Sequence, residues 1–206
     1  MSQEQTTYRI MGIDPGTNYM GYGIIDVVDG KPQAVVMGEI DMHKISDAHQ
    51  KLRYIFERVR SLTQSYQPTE VAFESPFFGT NVQSMLKLGR AQGVAIAAAI
   101  SRQIPIQEYA PMKIKMSITG NGQASKEQVA AMIKRMLNIK EDPVGFLDAT
   151  DALGAAYCHF LQMGKPETEH KYRSWADFAN KNKEKISFCS ASPCGKKQEE
   201  NKKERD

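Results

Sequence analysis

The sequence predicts an α/β layer fold with a central mixed five-stranded sheet, three antiparallel strands followed by parallel ones, flanked by helices. Three observations carry this. Strand-type segments follow one another directly near the start, helix-type and strand-type segments then alternate, and only helical periodicity remains toward residue 163. At 206 residues and 41% hydrophobic content, the chain can bury one substantial core.

Residues 8–40 contain three strand segments, YRIMGID, MGYGIIDVV and PQAVVMGEI, with Pro15-Gly16 and Asp29-Gly30 supplying turns, as in an antiparallel meander. Leu52, Ile55, Phe56, Val59 and Leu62 then recur at helical spacing behind Ser46-Asp47, which can cap a first turn. EVAFE at 70–74 is a short, buried-type strand, and a polar loop leads from it into a helical stretch from Asn81 to near Arg102. PIQEY is another short strand. Ser125 and Gln128 form the S-x-x-Q capping box, placing Lys126 on the first turn of a helix that reaches about Leu137. Asp142-Pro143 is a good start for a last helix, which runs to about Met163.

No internal repeat is visible. Residues 1–163 are expected to form one domain, and 164–206, polar and lysine-rich, a disordered tail. Tyr172, Trp175 and Phe178 are spaced to share a face of a short helix, which suits folding back onto the domain or docking to a partner.

No stretch approaches the ~18 uninterrupted apolar residues of a membrane span, and MSQEQTTYRI lacks a secretory pattern, so a soluble, cytoplasmic protein with no membrane partner is expected. Cys158 lies in an apolar helical stretch, whereas Cys189 and Cys194 lie in the polar tail with no further Cys nearby, which speaks against zinc. The net charge of +3 resides in the tail, with 11 Lys and Arg against 8 Asp and Glu from Lys165 onward and 16 of each before it. Masking four acids with metal would turn the folded part cationic, as a surface facing phosphate requires.

The acids carry the chemistry. Asp14 ends the first strand where Pro15-Gly16 turns the chain, a place for a functional carboxylate or for a simple turn starter. Glu74 ends EVAFE in the same way, and could equally mark where solvent begins. In GFLDATDALGAAYCHF, Asp148 and Asp151 are three apart on one helical face among Phe146, Leu147, Ala149, Ala152, Leu153, Ala155 and Ala156. Two like charges there are costly unless a cation sits between them; capping or a salt bridge for one and exposure for the other is the plainer alternative. All-oxygen ligands suit magnesium, and paired ions about 3.5 to 4 Å apart activate water and stabilise the leaving oxygen in phosphoryl displacement. Hydrolysis of a phosphodiester is the leading expectation.

The segments GIDPGTNYMGYGIID, VAFESPFFGTNVQSMLKLGRAQG, YAPMKIKMSITGNGQASKEQV and LDATDALGAAYCH, in that order across residues 8–162, resemble the RuvC family of Holliday-junction resolvases, within the ribonuclease H-like fold. The resemblance implies a magnesium-dependent crossover junction endonuclease acting in recombination and repair, with Asp14, Glu74, Asp148 and Asp151 as metal-binding catalytic acids. It implies two ions per subunit, with manganese able to substitute. Lys115 and Lys126 match lysines that contact DNA at or near the cleaved phosphate, Lys126 being assigned to catalysis as well, and Phe77 matches an aromatic at the junction centre. A homodimer that cuts two strands symmetrically is implied, with four-way junction DNA and the RuvA and RuvB branch-migration complex as partners. The tail departs from the family pattern as read from these motifs.

Each of these residues also has an independent reading. Lys126 at a helix start could meet phosphate beside free backbone N–H groups, or be an ordinary solvated lysine. Phe77 and Phe78, in the loop after Glu74, could stack on a base or pack against the core. Gly89, Gly93 and Ala97 recur four apart, fitting a dimer seam or close packing within the chain. GIDPGTNYMGYGIID also resembles the first phosphate loop of actin-like and sugar-kinase-like phosphotransferases, but 206 residues are too few for their two lobes, and no second D-x-G loop is present. A junction binder with vestigial acids is the non-enzymatic alternative.

Overall fold

A computed structural model describes residues 7–76, 81–139 and 147–163. Its strands are β1 (Thr7–Asp14), β2 (Tyr19–Val28), β3 (Lys31–Asp41), β4 (Glu70–Glu74) and β5 (Ile106–Tyr109); its helices are α1 (Ala48–Tyr66), α2 (Val82–Ile100), α3 (Pro111–Thr119), α4 (Lys126–Met136) and α5 (Leu147–Met163). The strands form one sheet in the order β3-β2-β1-β4-β5. β1 pairs antiparallel with β2 and β2 with β3, whereas β1 with β4 and β4 with β5 are parallel. The predicted mixed five-stranded sheet is therefore present.

Strand alternation divides the core between the two faces of the sheet. Met11, Ile13, Val71 and Phe73 point toward α1 and α2, meeting Ile55, Val59, Ala95 and Ala98. Ile10 and Ala72 point the other way, into a cluster with residues of α3, α4 and α5. The sequence signals for helix starts act as expected. Asp47 accepts a hydrogen bond from the Gln50 N–H, Asn81 accepts one from the Ser84 N–H, and Ser125 and Gln128 make a reciprocal capping box. Arg9 and Asp26, opposite each other in the β1–β2 register, add a two-point ion pair at 2.6 and 2.8 Å.

Helix α3 differs from the sequence expectation, which left residues 111–119 without an element. The apolar residues Met112, Ile114, Met116 and Ile118 alternate with polar ones, a period that hides a helix. Only Ile114 and Ile118, one turn apart, are buried, while Met112 and Met116 are exposed. Pro111 at its first turn and Gly120, left-handed at its end, were the usable signals.

The proposed start of the last helix at Asp142-Pro143, Phe77, Phe78 and the tail with Tyr172, Trp175 and Phe178 lie outside the described residues. Among the described residues no helix is long and apolar enough to cross a membrane.

Candidate metal centre and active site

The site begins with the parallel pairing of β1 and β4. Ile13 lies opposite Phe73, so Asp14 and Glu74 leave neighbouring strands at the same end of the sheet. Both belong to the face that carries Ile10 and Ala72, which is the face covered by α5.

Helix α5 comes unusually close to that face because the strands present glycines to it. A Cβ on Gly12 would sit 1.9 Å from the Ala152 carbonyl oxygen, and one on Gly21 would sit 2.0 Å from that of Asp148. The helix answers with Ala149, Ala152, Ala155 and Ala156, all fully buried. Backbone therefore rests on backbone, and the first turns of α5 are carried to the ends of β1 and β2. Asp14, Asp148 and Asp151 each place a carboxylate oxygen within 4.8 Å of the others. That separation is close to twice the roughly 2.1 Å Mg–O distance, so a shared cation is within reach of modest side-chain movement.

Glu74 stands outside that trio but bears on it electrostatically. Burial, then the charges of Glu74 and Asp151, push the Asp14 carboxyl up to about 8. Burial and the charge of Asp151 likewise push Glu74 up to about 7, against the pull of Lys126 and Lys115. Asp151 is raised as well, chiefly by burial, although Lys126 opposes this. Hard oxygen donors that resist ionising together are a donor set that a divalent cation would satisfy, and the absence of a Cys or His in the trio makes it a poor zinc site.

Lys126 enters from the first turn of α4. Its Nζ lies 2.7 Å from Asp151 Oδ2 and 3.4 Å from Asp148 Oδ1. Burial disfavours its charge, but the Asp151 hydrogen bond and the surrounding acids hold its pKa well above that of an ordinary lysine. Lys115, half-buried on α3, lowers the pKa of both Glu74 and Asp151 through space. The structure thus gathers six of the seven sequence-selected residues at one end of the sheet, and Phe77 is outside the described residues.

Sequence reading overlooked Glu39. In register, Asp14 faces Gly21 and Gly21 faces Glu39, so the three form a row across the sheet. Burial and then the charge of Asp148 raise the Glu39 pKa, marking it as a further acid on the rim. Its position near the end of a strand is the signal that singled out Asp14 and Glu74.

A sheet of this order with acids from β1, β4 and the helix across it defines the ribonuclease H-like class of nucleases. The model of the family "Crossover junction endodeoxyribonuclease RuvC" matches residues 10–159. A protein of that name from Bacteroides fragilis is 63% identical over 178 residues, covering 86% of this chain and 95% of its own length. One from Porphyromonas gingivalis is 52% identical over 181 residues, covering 86% of this chain and 96% of its own. Among solved structures, Thermus thermophilus RuvC in complex with a Holliday junction substrate superposes with a TM-score of 0.69 at 31% identity, covering 76% of this chain and 96% of that one. The chain belongs to the crossover junction endodeoxyribonuclease RuvC family. The match to the Bacteroides fragilis relative spans more residues than the 163 of the expected nuclease domain, so the beginning of the tail is shared with that relative rather than peculiar to this chain.

Proposed function

We propose that this chain resolves four-way DNA junctions by magnesium-dependent hydrolysis of two symmetrically placed phosphodiesters, leaving 5'-phosphate and 3'-hydroxyl ends in recombination and repair. One observation carries the reading: Asp14, Asp148 and Asp151, from segments more than 130 residues apart, converge within 4.8 Å. Asp14, Glu74, Asp148 and Asp151 would hold the magnesium, two ions per subunit. When bound, magnesium supplies the charge that activates water and stabilises the leaving oxygen, and manganese can substitute.

The remaining chemistry falls to residues of the chain. The α5 seam excludes water from one side of the carboxylates, which strengthens every charge interaction there. Lys126, presently paired with Asp148 and Asp151, is within reach of a phosphate at the same place and offsets charge gathering on its oxygens. Lys115 holds the strand on the Glu74 side, and Phe77 stacks at the junction centre. Residues 1–163 form the nuclease domain, and 164–206 are an appendage.

The active unit is a cytoplasmic homodimer working with the RuvA and RuvB branch-migration complex. Support for the dimer comes from α2, where Gly89 and Gly93 have no described atom within 4 Å of an added Cβ. Val82, Leu86 and Ile100 on the same helix are exposed, an apolar stripe that a second copy would cover.

Incubation with a synthetic four-way junction, with and without magnesium, and mapping of nicks on all four strands tests this. Paired nicks at symmetry-related positions, only with metal, are expected. ATP turnover without DNA would favour the phosphotransferase alternative, and junction binding unaccompanied by nicks would favour the junction binder.

A further inference from the structure

A second polar cluster lies at the opposite end of α5. His159 is 4% exposed, and its two ring nitrogens are both engaged: Nε2 lies 2.7 Å from Glu70 Oε2 and Nδ1 lies 2.7 Å from the Tyr109 hydroxyl. In the neutral imidazole, the carboxylate of Glu70 requires Nε2–H as donor, which leaves Nδ1 to accept from Tyr109. Glu70 is the first residue of β4, whose last is Glu74, and Tyr109 pairs with Glu74 across the β4–β5 register.

Lengths turn this into a ruler. The eight residues from Asp151 to His159 advance α5 by about 12 Å. The four residues from Glu74 back to Glu70 span about 13 Å of strand. With His159 fixed on Glu70, Asp151 reaches the end of the sheet where Asp14 and Glu74 leave their strands. Against the sheet, the rest of the α5 contact is alanines and Leu153 on glycines, which sets a close approach, and further directional side-chain bonds, Cys158 to Ser117 and Lys126 to Asp148 and Asp151, run to α3 and α4 rather than to the strands. Directional bonds to a buried imidazole supply the register against the strands.

We infer that His159, held between Glu70 and Tyr109, is a positioning residue that sets the axial register of α5 and so places Asp148 and Asp151 against Asp14 and Glu74. The inference rests on the metal-dependent reading above. It concerns a residue that touches neither substrate nor metal, and a misplacement of about 1 Å at a catalytic centre can cost on the order of 100-fold in rate.

Mn2+ uptake by the full-length, DNA-free chain, measured by titration calorimetry, is the readout. It is compared across wild type, His159→Ala, His159→Gln and Val59→Ala. Val59 is buried on the other face of the sheet, so Val59→Ala costs stability without touching α5. Gln offers one donor and one acceptor on the same side chain and can serve both partners. Thermal unfolding of each variant establishes that it is folded at the titration temperature. His159→Ala is expected to weaken Mn2+ uptake by at least about 10-fold, His159→Gln to recover most of it, and Val59→Ala to leave it unchanged. Should His159→Ala be too unstable to titrate, Tyr109→Phe, which removes one bond of the chain, is expected to weaken uptake severalfold. Equal uptake by wild type and the folded His159 or Tyr109 variant overturns the positioning role while leaving the metal reading intact. A wild-type chain that takes up no Mn2+ overturns both.

Discussion

At the scale of single residues, the acids are at odds with one another before any cation arrives. Asp14 and Glu74 have folded-state values of about 8 and about 7, above those of ordinary carboxyls, so they hold protons more tightly in the folded chain than in the unfolded one. The stability they contribute is complete below the ordinary carboxyl range, is lost progressively as pH rises above it, and is gone once pH passes about 8. The melting temperature of the metal-free chain should therefore fall between about pH 5 and about pH 9. Asp14→Asn should flatten that fall, and saturating magnesium should reverse it, because the cation binds only the folded state. Calorimetric scans with and without chelator check this. Lys126→Met should lower single-turnover cleavage by roughly 100-fold or more with little change in junction affinity if, as proposed, its charge acts on the reacting phosphate. Weakened binding with intact cleavage would remove Lys126 from the chemistry. The acids were legible in the sequence because each ends an apolar element or interrupts one. Glu39 carries the same strand-end signal, but only the register that places it in a row with Gly21 and Asp14 shows why it matters.

At the scale of elements, α5 decides whether there is a site at all. Its seam against β1 and β2 has no room for a side chain, so Gly12→Ala forces its Cβ against the Ala152 carbonyl. An overpacking cost of about 1–3 kcal/mol is expected, with a larger loss of cleavage because Asp148 and Asp151 ride on the displaced helix. Thermal unfolding and single-turnover kinetics on the same preparation separate the two effects. Strand and helix positions were legible wherever period and caps agreed, as for β4 and for α4 behind Ser125. They failed at α3, whose alternating apolar residues mimic a strand while its burial follows Ile114 and Ile118 alone. Nor could spacing show that the glycines of GIDPGTNYMGYGIID serve a helix more than 120 residues later, since close approach is a tertiary fact.

At the scale of the whole molecule, the two faces of the sheet divide the labour. One buries α5 and holds the acids, while α1 and α2 cover the other and leave an apolar stripe on α2 exposed. For Gly89 and Gly93 the sequence left dimer seam and internal packing equally open; no described atom lies within 4 Å of a Cβ added at either, and the proposed dimer would use that face. Gly93→Arg improves intrinsic helix propensity, so loss of fold is not its expected effect. It should yield a monomer by light scattering and abolish the pairing of nicks. In the proposed mechanism, carboxylates from β1, β4 and α5 share cations at the end of the sheet. Anomalous diffraction from crystals soaked in Mn2+ measures this most directly: peaks are predicted within about 2.5 Å of carboxylate oxygens of Asp14, Asp148 and Asp151. Fully ordered acids with no peak at millimolar Mn2+, or peaks only elsewhere on the surface, would contradict it.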